Sequence, residues 1–282
     1  MYIVVSKEVK HGDYLNDSSS INEYFELGWE VLTTHVDVKY LLSIGYIKKD
    51  DIIVTHSGRE FLYEKLFNNV ITWNEFEKLD KNNVDILDLV ENNINCFFND
   101  NLPKQFGETK THFHNKNLMW NGEKISHDIL FSFNYSNKYD INENFVCLQY
   151  RKRSHKPQRN INDDYFIEII NYIKSKNLNI YIVGYGAEKF IDNKQIFYVD
   201  LRDWASLINN ENCKLCLTTL SGPSHLIVFC ANKNCNNVII DITNELSRDL
   251  NDRLNHNRLN FRNIKIDYFN YLSIDLLKNY IK

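Results

Sequence analysis

Two stretches in the second half of the chain carry groups suited to binding phosphate. The first is Ser221-Gly222-Pro223-Ser224-His225, preceded by Thr218 and Thr219. It lies between Cys213–Leu217, an apolar run that predicts a strand, and Leu226–Ala231, which predicts a helix. Glycine permits close approach to the backbone, proline is favoured at the first helical position, and helix N-termini present unpaired N–H groups to anions. The stretch therefore predicts an anion site, with an ordinary strand-to-helix turn as the alternative.

The second stretch is Arg151-Lys152-Arg153, which follows the apolar run Phe145–Tyr150. Guanidinium groups bind phosphate through charge-assisted and often bidentate hydrogen bonds. Three cations at the end of a predicted strand therefore suggest a second phosphate contact in the same half of the chain. The alternative interpretation is a solvated patch of charge.

The elements around these stretches alternate between strand and helix. In the first half, strands are predicted at 2–5, 29–33, 51–55 and 70–73, with helices at 21–27, at 36–44 and after Arg59 through Phe67. In the second half, strands are predicted at 145–150, 178–183, 196–199, 213–217 and 237–242, with helices beginning after Asn162 and at Arg202. This alternation predicts βαβ units and parallel sheets, in which ligands bind beyond the carboxyl ends of the strands.

A polar stretch, residues 131–144, separates the two halves and is the predicted domain boundary. The expected organisation is an N-terminal Rossmann-like domain at 1–135 and a C-terminal Rossmann-like domain at 143–265. An amphipathic helix at 266–282, centred on Tyr268–Ile281, is expected to close the chain. The predicted fold class is therefore α/β, with two Rossmann-like domains facing a cleft.

Two further strand ends in the second half carry residues of interest. Gly184-Tyr185-Gly186 closes one predicted strand and Asp200 closes another.

Composition limits the classes of function. The net charge of −4 argues against a nucleic-acid binder, and the sequence lacks an apolar run of about 20 residues, which a membrane span needs. The first residues lack the basic flank of a signal peptide, so six cysteines suggest reduced thiols and a cytoplasmic protein. Cys213 and Cys216 have the spacing of half a zinc site, but on a strand their side chains point to opposite faces. No metal site is predicted.

Taken together, these features resemble the GT-B glycosyltransferases. Ser221–Leu226 is similar to the Ser/Thr-Gly-x-x-His segment of heptosyltransferase-like enzymes, which meets the donor pyrophosphate. Gln149–Arg153 is similar to the His-x-Arg-Arg segment of the α1,6-fucosyltransferase and O-fucosyltransferase group, in which the first arginine, Arg151 here, binds the β-phosphate of GDP-fucose. Two positions depart from that pattern: Gln149 replaces the histidine and Lys152 replaces the second arginine.

The resemblance implies a metal-independent glycosyltransferase that needs no cofactor beyond a nucleoside-diphosphate sugar as co-substrate, with a GDP-sugar favoured. Its acceptor would be a hydroxyl of a glycan or glycoprotein. Arg151, Arg153, Ser221 and the 222–225 backbone would stabilise the departing diphosphate. Gly184 and Gly186 would admit the nucleoside, and Tyr185 would stack on its base; a plain loop is the alternative for this stretch. Asp200 lies where such enzymes often hold base or ribose. A general base is expected from the first half, with Asp13 and His11 favoured over His35 and His56. The alternatives are a sugar-nucleotide hydrolase or epimerase of the same architecture, and a non-catalytic module that binds glycan or phosphate.

Overall fold

A computed structural model of the chain describes residues 1–8, 27, 34–82, 84–90, 127–153, 157–242 and 264–281. The chain divides into two compact units, Met1–Asn134 and Tyr135–Lys282. The division falls within the polar stretch 131–144. Each unit is built on its own parallel β-sheet, which confirms the predicted α/β class.

Among its described residues, the first unit contains a four-stranded sheet in the order β3-β2-β1-β4, with all neighbours parallel. Its core is formed by apolar side chains such as Val4, Val54 and Phe76. The strands are β1 (Tyr2–Val4), β2 (Ile52–Thr55), β3 (Asn69–Thr72) and β4 (Ile86–Asp88), and the helices are α1 (His35–Ser43), α2 (Trp73–Phe76) and α3 (His127–Leu130).

The second unit contains a six-stranded parallel sheet in the order β10-β9-β8-β5-β6-β7. Its strands are β5 (Phe145–Gln149), β6 (Asn179–Val183), β7 (Ile196–Tyr198), β8 (Cys213–Thr219), β9 (Asn236–Ile240) and β10 (Ile266–Phe269). Its helices are α4 (Asp163–Ser175), α5 (Leu201–Asn209), α6 (Gly222–Cys230) and α7 (Ile274–Leu277). Numbered within the unit, the strand order is 6-5-4-1-2-3, which is the Rossmann order read from its other edge.

The strand order places the switch point of the second sheet between β5 and β8. From β5 the chain continues outward through β6 to β7, and from β8 it continues in the opposite direction through β9 to β10. The connections therefore leave a crevice at the carboxyl ends of β5 and β8, which is where open α/β sheets bind ligands.

Local sequence explains the helices that flank this crevice. Asn162 caps α4 by accepting the N–H of Tyr165 at 3.1 Å, as predicted, and two aspartates in its first turn complement the helix dipole. The face of α4 that carries Phe166, Ile169 and Ile173 is buried in the core of the unit, against side chains of β5 and β6.

The predicted C-terminal helix at 266–282 is wrong. Ile266–Phe269 forms an edge strand parallel to β9, and only Ile274–Leu277 is helical, beginning after the cap residue Ser273. Leu272, Leu277 and Ile281 are all buried in the core, but Leu272 precedes the short helix, Leu277 lies within it and Ile281 follows it. Residues 266–269 form backbone hydrogen bonds with β9, and these bonds are available only when β9 lies beside them.

The helix predicted after Arg59, through Phe67, does not form as one element. A short 3₁₀ helix, Glu60–Leu62, is followed by turns. Arg59, which precedes it, reaches back to Ser6, with 3.0 Å between Nη1 and Oγ.

Candidate active site

The basic loop, defined here as residues 151–153, leaves the carboxyl end of β5 at the switch point. Arg151 is only 5 % exposed, and its Nη1 donates to Oδ1 of Asn160 at 2.6 Å. The same Oδ1 accepts the backbone N–H of Arg153 at 2.9 Å, and Nδ2 of Asn160 donates to the carbonyl of Arg153 at 2.8 Å. One neutral side chain thus holds both the guanidinium of Arg151 and the backbone of the loop.

Lys152 points to a different partner. Its Nζ lies 3.2 Å from Oδ1 of Asp163, which also binds Lys189 and accepts the hydroxyl of Tyr150 at 2.6 Å. The hydrogen bonds from Lys189 and Tyr150 hold the pKa of the Asp163 carboxyl well below its ordinary value. At the position where the fucosyltransferase pattern has a second arginine, this chain therefore pairs its lysine with an acid in the first turn of α4.

The carboxyl end of β8 is tied directly to that of β5. Oε1 of Gln149 accepts the backbone N–H of Thr219 at 2.9 Å and its hydroxyl at 2.8 Å. These bonds occupy the polar groups of Thr219, so its structural role is to join two strands. The hydroxyl of the neighbouring Thr218 is buried and has no hydrogen-bond partner within the described part of the chain.

The phosphate loop, defined here as residues 221–225, begins α6 directly after β8. Ser224 is buried; its backbone N–H donates to the carbonyl of Ser221 at 3.0 Å, and its hydroxyl contacts the N–H and the carbonyl of Ser221 at 3.3 and 2.6 Å. The helix begins at Gly222, so Pro223 occupies the second helical position rather than the predicted first.

This arrangement reduces the number of backbone donors available to an anion. Pro223 has no N–H, and the N–H of Ser224 is already used within the turn. The remaining N–H among the first three helical residues is that of Gly222, and this N–H donates to no other described residue. Phosphate binding at this helix would therefore depend on the dipole, the Gly222 N–H and nearby side chains, including half-buried His225.

The loop that follows β6 lies beside the basic loop. A Cβ at Gly184 would lie 2.0 Å from the carbonyl oxygen of Tyr150, and its φ is +124°. The close approach of the Tyr150 backbone therefore explains the need for glycine at this position, and the contact with a nucleoside stays a prediction. Tyr185 is 68 % exposed, and Gly186 adopts a φ of +80° before a 3₁₀ turn.

Asp200 lies at the carboxyl edge as predicted, yet one of its carboxylate oxygens is used locally. It caps α5 by accepting the N–H of Asp203 at 2.7 Å. An aspartate at a helix N-terminus is sufficiently explained by capping and by the helix dipole.

In the first unit, His11 and Asp13 lie outside the described residues. His35 begins α1 and is fully buried, with its ring centroid 5.7 Å from that of Phe133. His56 is a surface residue whose Nδ1 lies 2.9 Å from the carbonyl of Ser57. The structure therefore does not bring His35 and His56 together at an exposed strand end.

The carboxyl edge of the first sheet holds polar residues that the sequence analysis passed over. Lys7, which follows β1, pairs with Asp88 at the end of β4 at 2.7 Å, and both side chains are largely buried. Glu8 accepts the N–H of Ser57 at 3.0 Å and also the amide of Asn74. A lysine three residues beyond a strand gives no distinctive sequence pattern, so the ion pair becomes visible only when β1 is seen to pair with β4.

Within the described ranges, no three or more His, Cys, Asp or Glu side chains are grouped so that they could hold a metal ion. Likewise, no helix in the part of the chain that the structure covers is long and apolar enough to cross a membrane.

Comparison with known proteins adds one structure. No protein-family model matches the chain, and neither does any curated protein. Among solved structures, the chain is similar to the E. coli heptosyltransferase WaaC with ADP, at 14 % sequence identity and a TM-score of 0.40, over 85 % of this chain and 87 % of that one. The fold assignment rests on the strand order and direction described above.

Proposed function

We propose that the protein is a glycosyltransferase that uses a nucleoside-diphosphate sugar and binds the donor pyrophosphate at the switch point of the second unit. The observation that carries this proposal is the convergence of the basic loop and the phosphate loop. They are far apart in sequence, yet they follow adjacent strands whose ends are joined by the hydrogen bonds between Gln149 and Thr219.

The chemistry of sugar transfer supports this assignment. When the bond between the anomeric carbon and the diphosphate breaks, negative charge develops on the leaving oxygen, and preorganised cations and N–H groups lower the barrier by stabilising it. Arg151 is suited to this role, because a nearly buried guanidinium interacts with an anion in a medium of lower effective dielectric than water. Arg153 and the N-terminus of α6 would share the remaining phosphate charge.

The finer assignments follow from the sequence resemblance. A GDP-sugar is the favoured donor, the first unit is assigned to a glycan or glycoprotein acceptor, and the general base is assigned to Asp13 or His11. Tyr185 is assigned to the nucleoside base, because it is exposed on the loop after β6. Cationic side chains take the place of a metal ion in this proposal, and the cytoplasm is the proposed location.

Release of nucleoside diphosphate tests the function. The protein is incubated with GDP-, UDP-, ADP- and dTDP-sugars, with and without a panel of glycan acceptors, and the diphosphate is measured. Release that depends on an acceptor is the expected result. Release of equal rate without any acceptor would indicate a hydrolase, and binding without release would indicate a non-catalytic module.

Chelation tests the role assigned to the cationic side chains. Activity is expected to be unchanged by EDTA. Loss of activity on chelation, restored by manganese or magnesium, would contradict the proposal that side-chain cations alone stabilise the leaving group.

A further inference from the structure

We propose that Asn160 is a positioning residue that presents the basic loop to the donor pyrophosphate, an inference that rests on the proposed function. Asn160 lies in the turn after the 3₁₀ segment Pro157–Arg159, and its backbone N–H donates to the carbonyl of Pro157 at 2.9 Å. The position of its side chain is therefore set from outside the basic loop.

Both ends of the Asn160 carboxamide contact the basic loop. Oδ1 accepts from Nη1 of Arg151 at 2.6 Å and from the N–H of Arg153 at 2.9 Å, while Nδ2 donates to the carbonyl of Arg153 at 2.8 Å. These three bonds orient the Arg151 side chain and the backbone on either side of Arg153 at the same time. Loss of the amide would remove one hydrogen bond of the guanidinium and both of these hydrogen bonds of the loop backbone.

The neutrality of the side chain is as important as its geometry. A carboxylate at this position would also accept from Arg151 and from the Arg153 N–H, but it would cancel the positive charge that a phosphate must meet. An amide orients the guanidinium without adding a negative charge beside it. Asp163 makes the contrast clear, because it is an acid and pairs with Lys152 and Lys189 rather than with Arg151.

Three variants separate positioning from support of the fold. Asn160→Ala removes all three bonds, and Asn160→Asp keeps two acceptor contacts but adds a negative charge. Asn162→Ala is the matched control, since it removes the cap of α4, and the hydrogen bond of the Asn162 side chain runs to Tyr165 within that helix. Each full-length variant is titrated calorimetrically with inorganic pyrophosphate and with GDP, and each is melted thermally.

A positioning role predicts that Asn160→Ala weakens pyrophosphate binding by about tenfold, the loss of one or two net hydrogen bonds. It also predicts that Asn160→Asp binds pyrophosphate more weakly than Asn160→Ala does. This order is expected even where the melting temperature of Asn160→Asp is the closer of the two to that of wild type. Asn162→Ala is expected to melt earlier and to bind normally. Hydrogen exchange of the Arg153 amide should accelerate in Asn160→Ala without ligand.

The possible results distinguish the role of Asn160 from the proposed function on which that role rests. If the wild-type protein binds neither pyrophosphate nor GDP, UDP or ADP, both the proposed function and the role of Asn160 are overturned. If wild type binds and Arg151→Ala does not, while Asn160→Asp binds as well as Asn162→Ala, the role of Asn160 alone is overturned.

Discussion

A single oxygen of Gln149 accepts two hydrogen bonds from Thr219, one from its backbone N–H at 2.9 Å and one from its hydroxyl at 2.8 Å. Both residues are buried, and Nε2 of Gln149 donates to the carbonyl of Tyr150 at 3.2 Å. The amide of Gln149, the last residue of β5, therefore contacts both Tyr150, which precedes the basic loop, and Thr219, the last residue of β8. It joins the ends of the two strands from which the loops leave.

Replacing Gln149 with methionine should remove this connection at nearly constant volume. The N–H and hydroxyl of Thr219 would remain buried without their acceptor, so we expect the free energy of unfolding to fall by about 2 kcal/mol. Urea unfolding measures the change. Thr219→Val is the matched control, because it removes only the hydroxyl and should cost less; equal stability of Gln149→Met and wild type would contradict the inferred role.

Arg151→Ala should weaken binding of nucleoside diphosphate by about 10- to 100-fold, because a charge-assisted hydrogen bond contributes roughly 1.5–3 kcal/mol. Isothermal titration with GDP and UDP measures the loss. Lys152→Ala is the control on the same loop, since Lys152 pairs with Asp163 and should affect affinity far less. A folded Arg151→Ala protein with normal affinity would remove Arg151 from the site.

Gly184→Ala should destabilise the second unit strongly. The new Cβ would lie 2.0 Å from the carbonyl oxygen of Tyr150, and the φ of +124° is one that side chains rarely adopt. Gly186→Ala provides the comparison: its φ is +80°, its Cβ would meet Tyr150 at an ordinary 3.5 Å, and the expected cost is only about 1–2 kcal/mol. Thermal melts that rank the two variants in the opposite order would show that the loop after β6 can shift freely.

Stability should depend on the ionisation of Asp163 in acid. Its pKa is lowered in the folded protein by hydrogen bonds from Lys189 and Tyr150, whereas the unfolded chain has a value of about 3.9. The stabilisation is therefore fully present above that pH and is lost as the pH falls through the lower, folded-state pKa. We expect the melting temperatures of wild type and Asp163→Asn to differ at pH 6 and to converge towards pH 2. A constant difference across this range would show that the ionised carboxylate is not the stabilising form.

The sequence by itself determined much of the second unit. The strand before Arg151, the cap at Asn162 and the strand and helix around Ser221 are all encoded locally, by apolar runs, a capping side chain and a Gly-Pro helix start. Local signals of this kind act over a few residues, so they can be recognised in the sequence without knowing which strands pair. The α/β class followed from their alternation.

The tertiary structure decided what those elements do together. Only the order β8-β5-β6 places the basic loop beside the phosphate loop and shows that Gln149 bonds to Thr219, 70 residues away. The C-terminal segment was predicted as a helix from its spacing, but Ile266–Phe269 forms a strand because β9 supplies its hydrogen-bond partners. The partners of the Lys152 and Asn160 side chains could not be predicted from the sequence either. A polar side chain pairs with whichever groups the fold brings within 3 to 4 Å of it, and the periodicity of the sequence carries no information about those groups.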